Sequence, residues 1–256
     1  MKKFNKKLIA GLIITLPLCA HADDTKKPDP ADVTKVRTAV TLAVNDDASG
    51  KFSVDLSGKY NADYSYMVKG EAGWNDDQEY SDARFQFYNV ANTGFAAIPK
   101  TAISYDYFRM AEDSDELDVE MHALGSISMV PVSKDWRINM FPQLTYLQST
   151  FDTKFPGASR SRKADGMMAV AYISKHVGTD GSYFMLYPEY FKVSGDGVEY
   201  EQKNINLAWG SPITNNKKWW YIVEYMHKEN DTTFDGIGPG VVKDDIVNFK
   251  IRRFFF

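Results

Sequence analysis

Polar and apolar residues alternate one by one along most of this chain, a period of two that fits strands with one apolar and one polar face. Phe52, Val54, Leu56, Gly58 and Tyr60 alternate with Lys51, Ser53, Asp55, Ser57 and Lys59. The pattern returns in Tyr64, Tyr66, Val68, Gly70, Ala72 and Trp74. Leu117, Val119, Met121 and Ala123 alternate with Asp118, Glu120 and His122, and Trp136, Ile138, Met140, Leu144 and Tyr146 with Arg137, Asn139, Gln143 and Thr145. No stretch of helical period competes over a comparable length. Cutting the chain where turn residues cluster predicts strands near 35–44, 51–60, 63–74, 80–91, 101–110, 115–129, 134–149, 163–176, 181–194, 198–210, 217–228 and 245–256. An even number brings both ends of a closed barrel to one side. Ten or fourteen strands also fit the turn spacing.

The first 22 residues read as a secretory signal peptide. Lys2, Lys3, Lys6 and Lys7 precede the apolar run Leu8 to Leu18, and Ala20-His21-Ala22 supplies a small-x-small cleavage pattern ahead of Asp23. Removing four lysines takes 30 basic residues to 26 against 34 acidic ones, a net of −8. An acidic chain without a basic stripe argues against nucleic acid as a partner. The single cysteine, Cys19, falls in the signal peptide, and Leu16-Pro17-Leu18 lacks the small residue that precedes a lipidated cysteine. A mature chain without cysteine must therefore be held by a core or a closed sheet. Residues 23–34 are polar, carry two prolines and have no periodicity, which predicts an extended or disordered lead-in to a barrel over 35–256.

Connections after even-numbered strands are short in this division, as at Asn61-Ala62, Pro131 to Lys134 and Gly178 to Asp180. Those after odd-numbered strands are longer and hold more than half of the 34 acidic residues. The asymmetry assigns the long acidic loops to the outside and the short turns to the periplasm. Tyr60, Tyr64, Trp136, Trp209, Trp219, Trp220 and Tyr221 sit near the predicted periplasmic strand ends, where aromatic rings suit a membrane interface.

As a pattern over the whole mature chain, the sequence resembles a Gram-negative outer-membrane β-barrel. Its end, Arg253-Phe254-Phe255-Phe256, resembles the terminal assembly signal of such barrels, with Phe254 and Phe256 in the signal positions. Those two share a face with Arg252 and Lys250, so the expected register needs a bulge or terminal aromatics that wrap an edge. Small twelve-stranded channels of the oligogalacturonate, sialic-acid and nucleoside types are the nearest comparison. The resemblance implies an all-β closed antiparallel transmembrane barrel in the cell outer membrane. Its partners would be outer-membrane lipid and lipopolysaccharide, the barrel-assembly machinery and small hydrophilic solutes.

Placing the apolar faces against lipid puts Arg37, Lys51, Lys59, Lys69, Arg84, Arg137, Lys250 and Arg252 in the lumen. Opposite them come Asp55, Glu71, Asp106, Asp118, Glu120, Glu189 and Glu224, with His122 beside them. Such a mixed lining can orient polar solutes, or plug the lumen with its own salt bridges. The predicted loop from Thr150 to Ala164 carries a basic cluster, Arg160, Arg162 and Lys163, suited to a constriction or to lipopolysaccharide phosphate. Asp76-Asp77 and Glu112-Asp113 lack the spacing of a calcium loop, and neither metal nor cofactor is expected.

A lipid-modifying barrel enzyme of the phospholipase or lipid A deacylase type is the runner-up, and a closed structural or adhesion barrel the third reading. His122 shares a face with Ser126 and Ser128, but along a strand those hydroxyls lie roughly 13 and 20 Å away, beyond a nucleophile–base hydrogen bond. The first reading is therefore a porin-like channel for passive diffusion of small hydrophilic solutes, without a catalytic residue.

Overall fold

The computed structural model describes residues 29–111, 117–155, 158–238 and 240–255. The stretch over 1–22 that the sequence predicts to be a signal peptide, and Phe256, lie outside the described residues. Twelve strands follow in order: β1 (Ala39–Asn45), β2 (Gly50–Lys59), β3 (Tyr64–Trp74), β4 (Tyr80–Phe95), β5 (Ile98–Ala111), β6 (Leu117–Ser133), β7 (Ile138–Phe155), β8 (Ala158–His176), β9 (Tyr183–Gly195), β10 (Val198–Pro212), β11 (Trp219–Phe234) and β12 (Val241–Phe254). Each pairs antiparallel with its neighbours in sequence, and β1 pairs with β12 to close the barrel. Closure removes the exposed edges that an open sheet of this size would carry.

Cross-strand partners share a face, so the register separates inside from outside. Leu42 lies opposite Ile251 and Phe52, and Leu56 opposite Val68. Of these, Leu42, Leu56 and Ile251 join Ile103, Leu124, Leu186 and Leu207 in an exposed apolar belt, with Phe52 and Val68 half-buried beside them. Tyr64, Trp136, Phe184, Trp209 and Trp219 border it toward the end that holds the described chain termini, and Tyr105, Tyr146, Tyr190 and Tyr225 toward the far end. An apolar band between two aromatic girdles is the exterior of a transmembrane barrel.

Several strands outrun the belt. β7 and β8 have 18 and 19 residues, whereas about 10 tilted residues cross a membrane. Beyond the far tyrosines the pattern inverts. Val119, Met121 and Ala123 are buried inside, while Asp118, Glu120 and His122 share the outer face with Arg109 and Tyr107. The three polar residues assigned to the lumen therefore leave it. Past the belt the exterior meets water and headgroups, so polarity belongs outside and the apolar residues turn inward, as in a soluble barrel.

The same protrusion corrects the predicted loops. Residues expected as a loop over 150–164 are mostly strand: Arg160, Arg162 and Lys163 lie in β8, paired with Thr153, Phe151 and Thr150 of β7. The β9–β10 connection shrinks to Asp196-Gly197, both at positive φ (46° and 75°), as a two-residue type I′ hairpin requires. Connections at the two ends are thus similar in length, and the asymmetry lies in strand protrusion.

At the C-terminus the register runs through β12 without a shift. Phe254 is buried and faces inward with Arg252, whose guanidinium lies 5.0 Å from the Phe254 ring centroid. No bulge is needed.

Candidate functional site: the barrel interior

The interior has two unlike walls. Along β6 to β10 it is apolar: Val119, Met121, Leu147, Phe151, Met168, Phe191, Val193 and Val198 form one buried cluster. Phe151 of β7 meets Phe234 of β11 edge-on at 6.3 Å, so the barrel curls tightly on this side. Arg162 pins that curl. Its guanidinium donates to Asp235 at 2.6 Å and to the carbonyls of Asp196 and Gly197, tying β8 to two far-end turns.

Along β12 and β1 to β5 the wall is charged. Lys51 pairs with Asp82 at 3.0 Å and Glu71 at 3.7 Å, and Lys69 with Glu71 at 2.8 Å. Arg84 donates to both carboxylate oxygens of Asp106 through Nε, at 3.0 and 3.1 Å, and lies 4.1 Å over the Phe108 ring. Lys250 reaches Glu224 at 2.8 Å, and Arg252 pairs with Asp55. Period two explains the ladder, because cross-strand neighbours share a face. The cation is the more exposed partner of every one of these pairs: lysine and arginine side chains are 23–46% exposed and carboxylates 3–19%.

Between the walls stand aromatic hydroxyls. Gln86 donates to Tyr88 and to Asp106, each at 2.7 Å. The Tyr172 and Tyr187 rings lie 5.2 Å apart, Tyr187 donates to Glu224, and Asn204 donates to Glu189 at 3.2 Å. Lys59 also lies on the inner face, beside Ser65.

Residues 29–38, expected as an extended or disordered lead-in up to Thr34 and the start of a strand after it, run across the barrel's terminal mouth. Ala31 packs on Tyr183, Met185, Trp220 and Phe254, and Val33 and Val36 pack against Val90, Ala102, Ile127 and Phe141. Asp29 accepts from His176 Nε2 at 2.8 Å and Asp32 pairs with Lys100 at 3.1 Å. Thr34 donates through its hydroxyl and backbone N–H to Asp32 Oδ1. A signal was present: Asp32-Val33-Thr34 is an Asx-type turn sequence. Arg37 belongs to this segment rather than to a strand, and with Lys35, Lys59 and Lys100 lines a cavity of about 200 Å³ at the same mouth. A larger cavity, about 340 Å³, opens at the far mouth between Lys51, Asp82, Trp74 and Asn45. Both lie on the charged side.

Arg137 is not in the lumen. It ends the β6–β7 turn at φ 54° and donates to the carbonyl of Gly178, because the turn carries it across to the next turn. The three histidines among the described residues are engaged as follows: His122 with Tyr105 at 2.8 Å, His176 with Asp29, and His227 with Asp245 at 2.8 Å.

Burial opposes the charge on Asp29, but the hydrogen bond and charge of His176, helped by Lys35, outweigh it and hold the carboxyl below its usual range. A depressed carboxylate adds stability above its ordinary pKa of about 4 and loses it as pH falls through its folded value. Amides of residues 31–36 should accordingly exchange hydrogen faster, relative to the intrinsic rate, at pH 3 than at pH 7. Mass spectrometry of the detergent-folded protein measures this.

No family model matches the chain, and no curated protein matches it in sequence. In fold it is similar to an outer-membrane channel of Pseudomonas putida F1, with TM-score 0.59 and 9% identity over 90% of this chain and 100% of that one. It is also similar to the NanC porin, with TM-score 0.51 and 9% identity over 86% of this chain and 100% of that one. These likenesses concern the fold.

Proposed function

We propose that the protein is an outer-membrane channel, exported after cleavage at Ala22, that passes small hydrophilic solutes along its charged wall with a preference for anions. The observation that carries this reading is the exposure of the ion pairs. Every carboxylate of the ladder is withdrawn behind its cation, so Lys51, Lys69, Arg84, Lys250 and Arg252 present positive charge to the space between the mouths. A low-dielectric wall strengthens such a field. Formal counting of bases against acids misses this, because the pair is neutral while its accessible surface is not. The fold likeness to a protein named as a channel and another named as a porin supports the same class. On this reading the terminal mouth faces the periplasm. The outer-face pairs Arg109–Asp118 and Lys192–Glu201 then lie at headgroup level, beside lipopolysaccharide, and the final aromatic residues serve the assembly machinery.

Reversal potential in a planar bilayer under a potassium chloride gradient tests the preference. Chloride should permeate severalfold better than potassium, and Lys69→Gln with Lys250→Gln should move the potential toward zero. A potential on the potassium side would refute the anion preference.

A further inference from the structure

Resting on the channel reading, we propose that the segment from Asp29 to Thr38 is an autoinhibitory gate: Asp29 and Asp32 occupy cationic or donor positions that an anionic solute would otherwise use, and such a solute opens the mouth by competing for them.

The segment is built as a strap. One end is fixed where it enters β1: the Ser57 N–H donates to Thr38 Oγ1 at 3.2 Å and the Phe255 N–H to the Thr38 carbonyl at 3.0 Å. The other end is held by side chains, Asp29 on His176 of β8 and Asp32 on Lys100 of β5. Its backbone bonds from Asp32 to Asp29 and from Lys35 to Asp32 close within the strap. It can therefore leave as one turn-shaped unit without unzipping a barrel strand. Ala31, Val33 and Val36 seat the strap against the wall, and the two polar latches are the part of that hold which a charged solute can exchange.

The latches sit where the charged wall ends. Lys100 is on the inner face of β5 and lines the periplasmic cavity with Lys35, Arg37 and Lys59. A solute arriving there with a carboxylate meets an ammonium already paired with an aspartate of the chain itself. Exchange of one carboxylate for another leaves the cation satisfied, whereas a neutral solute offers it no replacement.

Single-channel recording of the refolded protein in planar bilayers, with folding checked by mobility on unheated gels, tests the proposal. The wild type is compared with D29N/D32N, which keeps shape and removes two charges, and with a deletion of residues 29–36. The double variant should raise the open fraction about tenfold, and the deletion should stay open. Millimolar succinate should increase wild-type opening, glucose should not, and the double variant should be indifferent to both. If wild type and variants conduct alike, or if succinate leaves wild-type opening unchanged, the gate is overturned while the channel stands. If all three fold and none conducts, the channel reading fails and the gate with it.

Discussion

Gly166→Ala should cost the barrel more than about 3 kcal/mol and leave most of the refolded chain without the fast-migrating band of a closed barrel on unheated gels. Gly166 lies on the inner face of β8 opposite Val193. A Cβ there would sit 1.8 Å from the Lys192 carbonyl oxygen and 2.6 Å from Val193 Cα. Both contacts are backbone, so no rotamer change relieves them. Gly195 on β9 faces the Lys163 carbonyl in the same way, at 2.6 Å. These two glycines allow the curl that brings Phe151 to Phe234 and lets Arg162 reach Asp235. Gly70 has no atom within 4 Å of its missing Cβ, so Gly70→Ala should fold like the wild type. If Gly166→Ala does so too, the tight curl of β8 and β9 does not exist in the folded protein.

That curl lies where the sequence was hardest to read. Alternation, cut where turn residues cluster, divides the chain into twelve strands that all overlap the observed ones, because a side-chain period of two survives any change of surroundings. It cannot say which face looks inward. Within the belt lipid demands an apolar exterior, and Lys51, Asp55, Lys69 and Glu71 point inward as that rule requires. Past the belt the solvent changes and the sign reverses, which moved Asp118, Glu120 and His122 outside. A lipid rule holds only over the part of each strand that lipid touches.

Of the N-terminal segment only the Asx-type turn at Asp32-Val33-Thr34 is legible, for a different reason. Pro28-Asp29-Pro30 and a mixed polar composition describe a chain with no structure of its own, and its shape comes from a wall contributed by β4 to β12. Asp29 finds His176 across 147 positions of sequence and Asp32 finds Lys100 across 68, separations that local pattern does not carry. Val33 and Val36 are each worth about 1–2 kcal/mol when partly buried, enough to seat a turn but too few to mark it in the sequence as core.

Arg84→Met should destabilise the barrel by about 3 kcal/mol, whereas Arg84→Met combined with Asp106→Leu should recover most of that loss. Asp106 is 5% exposed, and its carboxylate is satisfied by Arg84 and by the Gln86 amide. Removing the guanidinium leaves a charge inside the wall with one amide donor, and stranding one member of a buried pair is what costs several kcal/mol. Removing both leaves two apolar side chains beside Phe108, whose ring already carries the Arg84 guanidinium at 4.1 Å, while Gln86 keeps the Tyr88 hydroxyl. Denaturant midpoints of the detergent-folded proteins decide between these outcomes. The same two proteins separate stability from permeation: the double variant should stand nearly as firm as the wild type yet lose part of its anion preference, because one exposed cation has gone and the carboxylate it covered was already withdrawn. A double variant as unstable as Arg84→Met would show that the pair adds net stability, and the wall would then owe its charges to folding as much as to the solute.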